Sequence, residues 1–136
     1  MTAFDTNVLI YACDKTDPER QRKAIELFRA TDDGVLVWQV ACEFIAASRK
    51  LAPQGFTPGH AWNRLAEFSA LFPLVLPNES VIAEARALHL QSGWSTWDAM
   101  ITAACLVAGV KRLYTEDLPG RSIAGRLEIV NPFAKP

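Results

Sequence analysis

The chain has 136 residues, of which 50% are hydrophobic, and a formal net charge of −1 at pH 7. This length suits one domain that buries about two-thirds of its unfolded surface, and the charge excludes a global positive field that would attract nucleic acid. Three separated cysteines without a Cys-x-x-Cys pair argue against a disulfide framework or a zinc site. No signal peptide is evident, and no apolar run approaches the ~20 residues that span a bilayer. We therefore expect a cytoplasmic protein that makes no membrane contact.

Short apolar segments alternate with amphipathic ones along the whole chain. Strands are predicted at residues 2–4, 35–37, 74–76, 112–114 and 127–130. Helices are predicted at 8–13, from Pro18 to the turn at 32–34, at 40–51, after Thr57-Pro58, at 80–91 and at 99–108, with a loop at 119–126. This order predicts an α/β fold in which residues 1–136 form a single three-layer α/β/α domain. Its sheet should be mostly parallel, with about five strands.

Four acidic residues fall at expected strand ends or near helix starts. Asp5 follows the first strand, Glu43 lies early in the helix after the second, Asp98 begins a nearly all-apolar helix, and Asp117 follows the fourth strand. Right-handed crossovers place parallel strand ends at one edge of the sheet, where ligands bind. For Asp5 the simpler alternative is that it caps the following helix.

Carboxylates that meet in one cleft repel each other and favour a hard divalent cation such as Mg²⁺ or Mn²⁺. One or two such ions can activate water and stabilise both oxygens of an in-line phosphoryl displacement. The acids therefore point to phosphodiester hydrolysis.

These acids lie in segments that resemble the four acidic motifs of the PIN domain family. The segments are Phe4-Asp5-Thr6-Asn7-Val8-Leu9, Gln39-Val40-Ala41-Cys42-Glu43-Phe44, Trp97-Asp98-Ala99-Met100-Ile101-Thr102-Ala103-Ala104 and Leu113-Tyr114-Thr115-Glu116-Asp117-Leu118. The likeness spans the chain and is greatest to the VapC-like toxins of bacterial toxin–antitoxin pairs. It implies a Mg²⁺- or Mn²⁺-dependent endoribonuclease with Asp5, Glu43, Asp98 and Asp117 as metal-site acids. It also implies an RNA substrate, a homodimer, and an antitoxin segment that lies across the cleft.

The chain departs from this pattern at two places. Residues 92–95 lack an acid that some relatives carry before the third motif, which implies weak binding of a second metal ion. Trp38 stands where a small polar residue is common, which implies a bulkier cleft wall.

Further side chains are candidates for supporting roles. Four are expected to orient ligands or water in the site: Thr6, Asn7, Thr115 and Glu116. The hydroxyls of Thr6 and Thr115 could equally satisfy backbone groups. Four basic residues are candidates for contacts with RNA phosphates, or are ordinary solvated charges: Arg49, Lys50, Arg121 and Arg126. Trp94 and Trp97 could stack on a base, although core packing is the expectation for Trp97.

Three other functions are compatible with the sequence. The first is a phosphatase that uses Asp5 as an aspartyl-phosphate nucleophile, although Asn7 stands where a second Asp is usual. The second is a phosphoacceptor signalling module that uses Asp5. The third is a PIN-like scaffold that only binds partners. The apolar surface expected around Trp62, Phe68, Leu71 and Phe72 is a candidate for dimer or antitoxin contact.

Overall fold

The computed structural model describes residues 1–118, 121–123 and 125–135. Its strands are β1 (Thr2–Phe4), β2 (Gly34–Val37), β3 (Leu74–Val75), β4 (Arg112–Tyr114), β5 (Arg121–Ile123) and β6 (Leu127–Val130). Its helices are α1 (Thr6–Cys13), α2 (Pro18–Ala30), α3 (Trp38–Ala47), α4 (Pro58–Leu71), α5 (Ser80–Ser92) and α6 (Thr96–Ala108), with a 3-10 helix at Ser48–Gln54. The three-layer α/β/α prediction is confirmed.

The sheet places the ends of its parallel strands at one edge. Among the described residues it has six strands in the order β3-β2-β1-β4-β6-β5. The first five in that order pair in parallel, whereas β5 is antiparallel to β6. Because β1 pairs with both β2 and β4, the residues that follow these three strands emerge side by side.

An aromatic cluster anchors β1 beneath the site. The ring of Phe4 lies 5.0 Å from the rings of Phe28 and Phe72 and 5.8 Å from that of Tyr114. Each such pair contributes roughly 0.5–1.5 kcal/mol beyond the burial of its surface. Since Asp5 follows Phe4 directly, this packing also fixes the start of the acidic site.

Helix α6 is the buried helix that the apolar sequence predicted. Its residues from Ile101 to Leu106 are all buried, and it packs along α5. The helix begins at Thr96, and the Ser95 hydroxyl caps it by accepting a hydrogen bond from the backbone N–H of Asp98. None of the helices in the described part of the chain is long and apolar enough to cross a membrane.

Strand β5 lies in the segment that was predicted to be a loop. It is held by antiparallel pairing with β6, in which Arg121 lies opposite Ile129 and Ile123 opposite Leu127. Gly125 has a φ of +68°, and the N–H of Arg126 donates to the carbonyl of Ile123, which closes a hairpin. A three-residue strand without an apolar run has no periodic pattern in the sequence. It is recognised as a strand only from its pairing with β6 in the structure.

The predicted helix at 40–51 is two elements. Helix α3 starts at Trp38, directly after β2, and a 3-10 helix replaces its expected last turn. The Ser48 hydroxyl donates to the carbonyl of Ile45, and Pro53 has no N–H to extend a regular helix.

Strand β3 is shorter and more exposed than its apolar sequence suggested. It covers only Leu74 and Val75 and lies at the outer edge of the sheet. Leu76 is outside the strand, and 67% of its surface is exposed. Proline residues on both sides, Pro73 and Pro77, cannot donate ladder hydrogen bonds and limit the strand.

Candidate active site

Asp5 is a buried carboxylate at the junction of β1 and α1. Its side chain is the N-cap of α1: Oδ1 accepts from the N–H of Thr6 at 2.7 Å, and Oδ2 accepts from the hydroxyl of Thr115 at 2.7 Å. Only 8% of the residue is exposed. The pKa of Asp5 is raised from 3.8 to about 6: burial is the main cause, the two hydrogen bonds act in the opposite direction, and the charges of Asp117 and Glu43 add to the rise. The sequence left open whether Asp5 caps the following helix or lies in a ligand cleft. In the structure it does both.

Glu43 is held by the turn of α3 that precedes it. Gln39 donates from Nε2 to Glu43 Oε1 at 2.6 Å, and it also contacts the carbonyl of Trp97 at 3.2 Å. The Thr6 hydroxyl lies 3.4 Å from Glu43 Oε2. Gln39 therefore connects the second and third acidic segments, a role that the sequence analysis missed. The signal for it was the i, i+4 spacing of Gln39 and Glu43 on one helix.

Asp117 is positioned by the loop after β4 and by α1. Asn7 donates from Nδ2 to Asp117 Oδ2 at 2.8 Å. The Thr115 hydroxyl, which donates to Asp5, also accepts from the backbone N–H of Asp117 at 3.1 Å. Thr115 thus satisfies a backbone group and a carboxylate together.

Asp98 is close enough to Asp117 for its charge to affect the pKa of Asp117. Burial raises the pKa of Asp117 above 3.8, and the charges of Glu116 and Asp98 raise it further. The hydrogen bond from Asn7 and the charge of Lys50 act in the opposite direction. Asp98 lies in the first turn of α6, where the partial positive charge of the helix N-terminus favours a carboxylate.

All four acids line one small cavity of about 130 Å³. Its described lining is Asp5, Thr6, Asn7, Gln39, Glu43, Ala47, Trp97, Asp98, Ile101 and Asp117. We call this space the acid cavity. Four carboxylates from four separate chain segments therefore face a common volume at the parallel edge of the sheet.

The donor set of the acid cavity suits a hard dication, since its charged ligands are carboxylate oxygens. Asp5, Glu43 and Asp117 accept hydrogen bonds from Thr115, Gln39 and Asn7, as described above. Within the described residues, no three His, Cys, Asp or Glu side chains form a group arranged to hold a metal ion. The chemistry of the donors thus fits Mg²⁺ or Mn²⁺, and binding would require these side chains to turn toward a common point.

Glu116 does not face the acid cavity as the sequence suggested. Its carboxylate turns toward α1 and α2, where Tyr11 donates a short hydrogen bond from its hydroxyl and Arg20 forms an ion pair at 3.4 Å. Burial and the hydrogen bond to Glu116 raise the pKa of Tyr11 to about 12, so the hydroxyl stays a donor at neutral pH.

The basic candidates are placed differently from one another. Arg49 and Lys50 lie exposed on the 3-10 helix, and the positive charge of Lys50 acts to lower the pKa of Asp117. Arg126 forms an ion pair with Glu84 at 2.9 Å. The side chain of Arg121 lies outside the described residues.

The core packing expected for Trp97 is wrong. Trp97 is 66% exposed in the first turn of α6, and the residue lines the acid cavity. It also lines a neighbouring groove of about 530 Å³, together with Trp38 and Leu76. We call this space the apolar groove. Trp38 lines the apolar groove and is absent from the described lining of the acid cavity, so it does not form the bulkier cavity wall that the sequence suggested.

The apolar surface expected on α4 is only partly exposed. Trp62 and Leu71 are exposed, whereas Phe68 and Phe72 are buried in the core. The last two instead pack against Phe28, so they are unavailable to a partner.

Residues 3–122 match the family model of the PIN domain. The chain belongs to the PIN domain family. No curated protein matches the chain.

Several solved structures share the fold. A toxin–antitoxin complex from Klebsiella pneumoniae matches with 21% identity over 98% of both chains and a TM-score of 0.69. FitAcB from Neisseria gonorrhoeae matches with 16% identity over 98% of this chain and 99% of its own, at a TM-score of 0.62. VapBC2 from Rickettsia felis, bound to a DNA fragment from its promoter, matches with 14% identity over 85% and 86%, at a TM-score of 0.61. Their likeness to this chain is a likeness of fold.

Proposed function

We propose that this PIN domain is a Mg²⁺- or Mn²⁺-dependent endoribonuclease and the toxin of a toxin–antitoxin pair. The observation that carries the proposal is the convergence of Asp5, Glu43, Asp98 and Asp117 on the acid cavity. Burial raises the pKa of Asp5 and Asp117 most, and the charges of neighbouring acids raise both further, so a bound dication would offset the cost of keeping these groups ionised.

The acids would hold the dication directly or through water. When bound, the dication would supply a Lewis acid that activates water and offsets charge on the scissile phosphate. The chain's own contribution is orientation. Thr6 and Thr115 fix both oxygens of Asp5, Gln39 fixes Glu43, and Asn7 fixes Asp117. Such donors around ligand carboxylates usually set both geometry and affinity of a metal site.

The RNA phosphates would meet positive charge beside the acid cavity. Among the basic candidates with described side chains, Lys50 is close enough to Asp117 for its charge to lower the pKa of that carboxyl. Arg49 lies next to it on the same exposed 3-10 helix. With a net charge of −1 on the whole chain, these local contacts would make RNA binding weaken as salt rises.

Partner binding follows from the same proposal. The structure from Klebsiella pneumoniae that shares this fold is a toxin–antitoxin complex, and we propose an antitoxin for this chain as well as a homodimer. The apolar groove is a candidate contact surface. None of the described residues that line it is Asp, Glu, Lys or Arg, so it suits a protein rather than a polyanion.

The test is to incubate the purified protein with total RNA and Mg²⁺ and to map the new RNA ends. We expect discrete cleavage that EDTA abolishes and that Asp98→Asn reduces by at least roughly 100-fold. Asp32→Asn is the matched control, because Asp32 is an exposed acid at the end of α2. Full activity of Asp98→Asn, or cleavage in EDTA, would contradict the proposal.

The other functions predict different results. A binding-only scaffold would produce no new RNA ends in Mg²⁺ while still capturing partners. A phosphatase or phosphoacceptor module would carry covalent phosphate on Asp5 after treatment with an acyl phosphate, and Asp5→Asn would abolish that label.

A further inference from the structure

Glu116 lies between two residues that shape the acid cavity, yet its own side chain leaves the cavity. Thr115 on one side donates to Asp5, and Asp117 on the other side lines the cavity. The Glu116 carboxylate instead accepts hydrogen bonds from the hydroxyl of Tyr11 and from Arg20. The backbone of this loop therefore directs alternate side chains to opposite sides.

The guanidinium of Arg20 is held from four directions. It pairs with Glu116 and with Asp17, each at 3.4 Å. It also lies over the ring of Tyr11 at 5.4 Å and over that of Phe133 at 5.8 Å, and these two rings meet edge to face at 5.0 Å. Cation–π contacts of this kind stabilise an arginine where it is partly removed from water. We call Tyr11, Arg20, Phe133 and Glu116 the Glu116 clamp.

The clamp joins parts of the chain that are far apart in sequence. Tyr11 lies on α1, Arg20 on α2 and Phe133 in the segment after β6, while Glu116 belongs to the loop after β4. Among the described residues, that loop is also tied to α1 by the hydrogen bond from Asn7 to Asp117, which is exposed. The clamp is thus the more buried of the two ties, since only 19% of the Glu116 side chain is accessible.

We infer that Tyr11 and Arg20 are positioning residues: they hold Glu116 out of the acid cavity and so fix Thr115 and Asp117 in register with Asp5. This inference rests on the proposed function in assigning a dication to the cavity. Without the clamp, the loop that carries Thr115 and Asp117 is held less firmly, and the hydrogen bond between the Asp117 N–H and the Thr115 hydroxyl would open more often. A less firmly held Asp117 weakens metal binding without removing a ligand.

The test compares two conservative variants. Tyr11→Phe removes the hydroxyl that donates to Glu116 and keeps the ring beside Arg20. Tyr114→Phe is the matched control, because the chain has only these two tyrosines and the Tyr114 hydroxyl contacts exposed Arg112 at 3.5 Å. Two quantities are measured: hydrogen exchange of the Asp117 amide in metal-free protein, and Mn²⁺ affinity by calorimetry.

For Tyr11→Phe we expect Asp117 exchange to be about 10-fold faster and the Kd for Mn²⁺ to be about 10-fold higher, the range usual for groups that support metal ligands. Tyr114→Phe should stay within about twofold of the unsubstituted protein in both. Glu116→Gln keeps an acceptor oxygen for Tyr11 and should stay near the unsubstituted protein, whereas Glu116→Ala should match Tyr11→Phe. Exchange of the buried Ala103 amide reports global stability and should not change.

Equal exchange and affinity in the two Tyr→Phe variants would overturn the inference. So would faster exchange with unchanged Mn²⁺ affinity, or an equal acceleration at Ala103, which would show a general loss of stability. If the unsubstituted protein binds no Mn²⁺, the proposed function fails, and the exchange comparison alone then decides whether the clamp fixes the loop.

Discussion

Replacing Asp5 by Asn should stabilise the metal-free protein at neutral pH. The pKa of Asp5 is raised from 3.8 to about 6, mainly by burial and in smaller part by the neighbouring carboxylates. A rise of about two units corresponds to about 3 kcal/mol of unfavourable interaction for the ionised form. An amide keeps one acceptor oxygen for Thr115 or Thr6 but not both, so this value is an upper limit on the gain.

The gain should depend on pH in one direction. An acid whose pKa is raised in the folded state binds its proton more tightly there than in the unfolded chain. The Asp5 contribution to the free energy of unfolding is therefore fully present below pH 3.8 and is lost as the pH rises through about 6. Asn carries no such proton, so the advantage of Asp5→Asn grows over this window and is constant above it.

The assay is thermal unfolding in EDTA at about pH 4 and about pH 7.5, with Asp32→Asn as an exposed control. At roughly 3–4 °C per kcal/mol for a chain of this size, Asp5→Asn should raise Tm by up to about 10 °C at the higher pH. At the lower pH the gain should be roughly 2 °C. An equal gain at both values, or a lower Tm near pH 7.5, would refute the reasoning.

Three other predictions test the surroundings of the site. Mn²⁺ at 100-fold its Kd should stabilise the protein by about 2.7 kcal/mol in a thermal melt, and Asp5→Asn should lose this effect; an equal shift in both proteins would place the ion elsewhere. Thr115→Val should lower the unfolding free energy by about 1–3 kcal/mol at neutral pH, because the buried Asp5 loses a donor; an unchanged urea midpoint would count against that bond. Gly34→Ala should cost roughly 1–3 kcal/mol in the same assay, because its Cβ would lie 2.5 Å from the Phe72 ring, and no loss would show that the ring moves freely.

Much of the fold could be predicted because all but one of its parallel strands contain buried apolar residues. β1, β4 and β6 have the predicted bounds, and β2 differs by one residue, Gly34. β5 could not be predicted from its own three residues, since pairing with β6 creates it. The exposure of β3 could not be predicted either, because an apolar sequence does not show whether a strand lies inside a sheet or at its edge.

The acids of the candidate site could be located because each follows a strand, lies in the helix that follows a strand, or lies in the first turn of a helix. Their partners are harder to predict, because hydrogen bonds such as Asn7 to Asp117 join residues 110 positions apart. The same holds for Tyr11 and Glu116, which are 105 positions apart. Glu116 was expected to orient ligands or water in the site, but its side chain turns toward Tyr11 and Arg20 instead.

The central claim is that four carboxylates share one dication. Crystals soaked in Mn²⁺ and measured at the manganese absorption edge test it most directly. The account predicts an anomalous peak inside the acid cavity, within about 2.0–2.3 Å of carboxylate oxygens from at least two of Asp5, Glu43, Asp98 and Asp117 or bridged to them by water. An empty cavity with Mn²⁺ bound elsewhere on the molecule would contradict it.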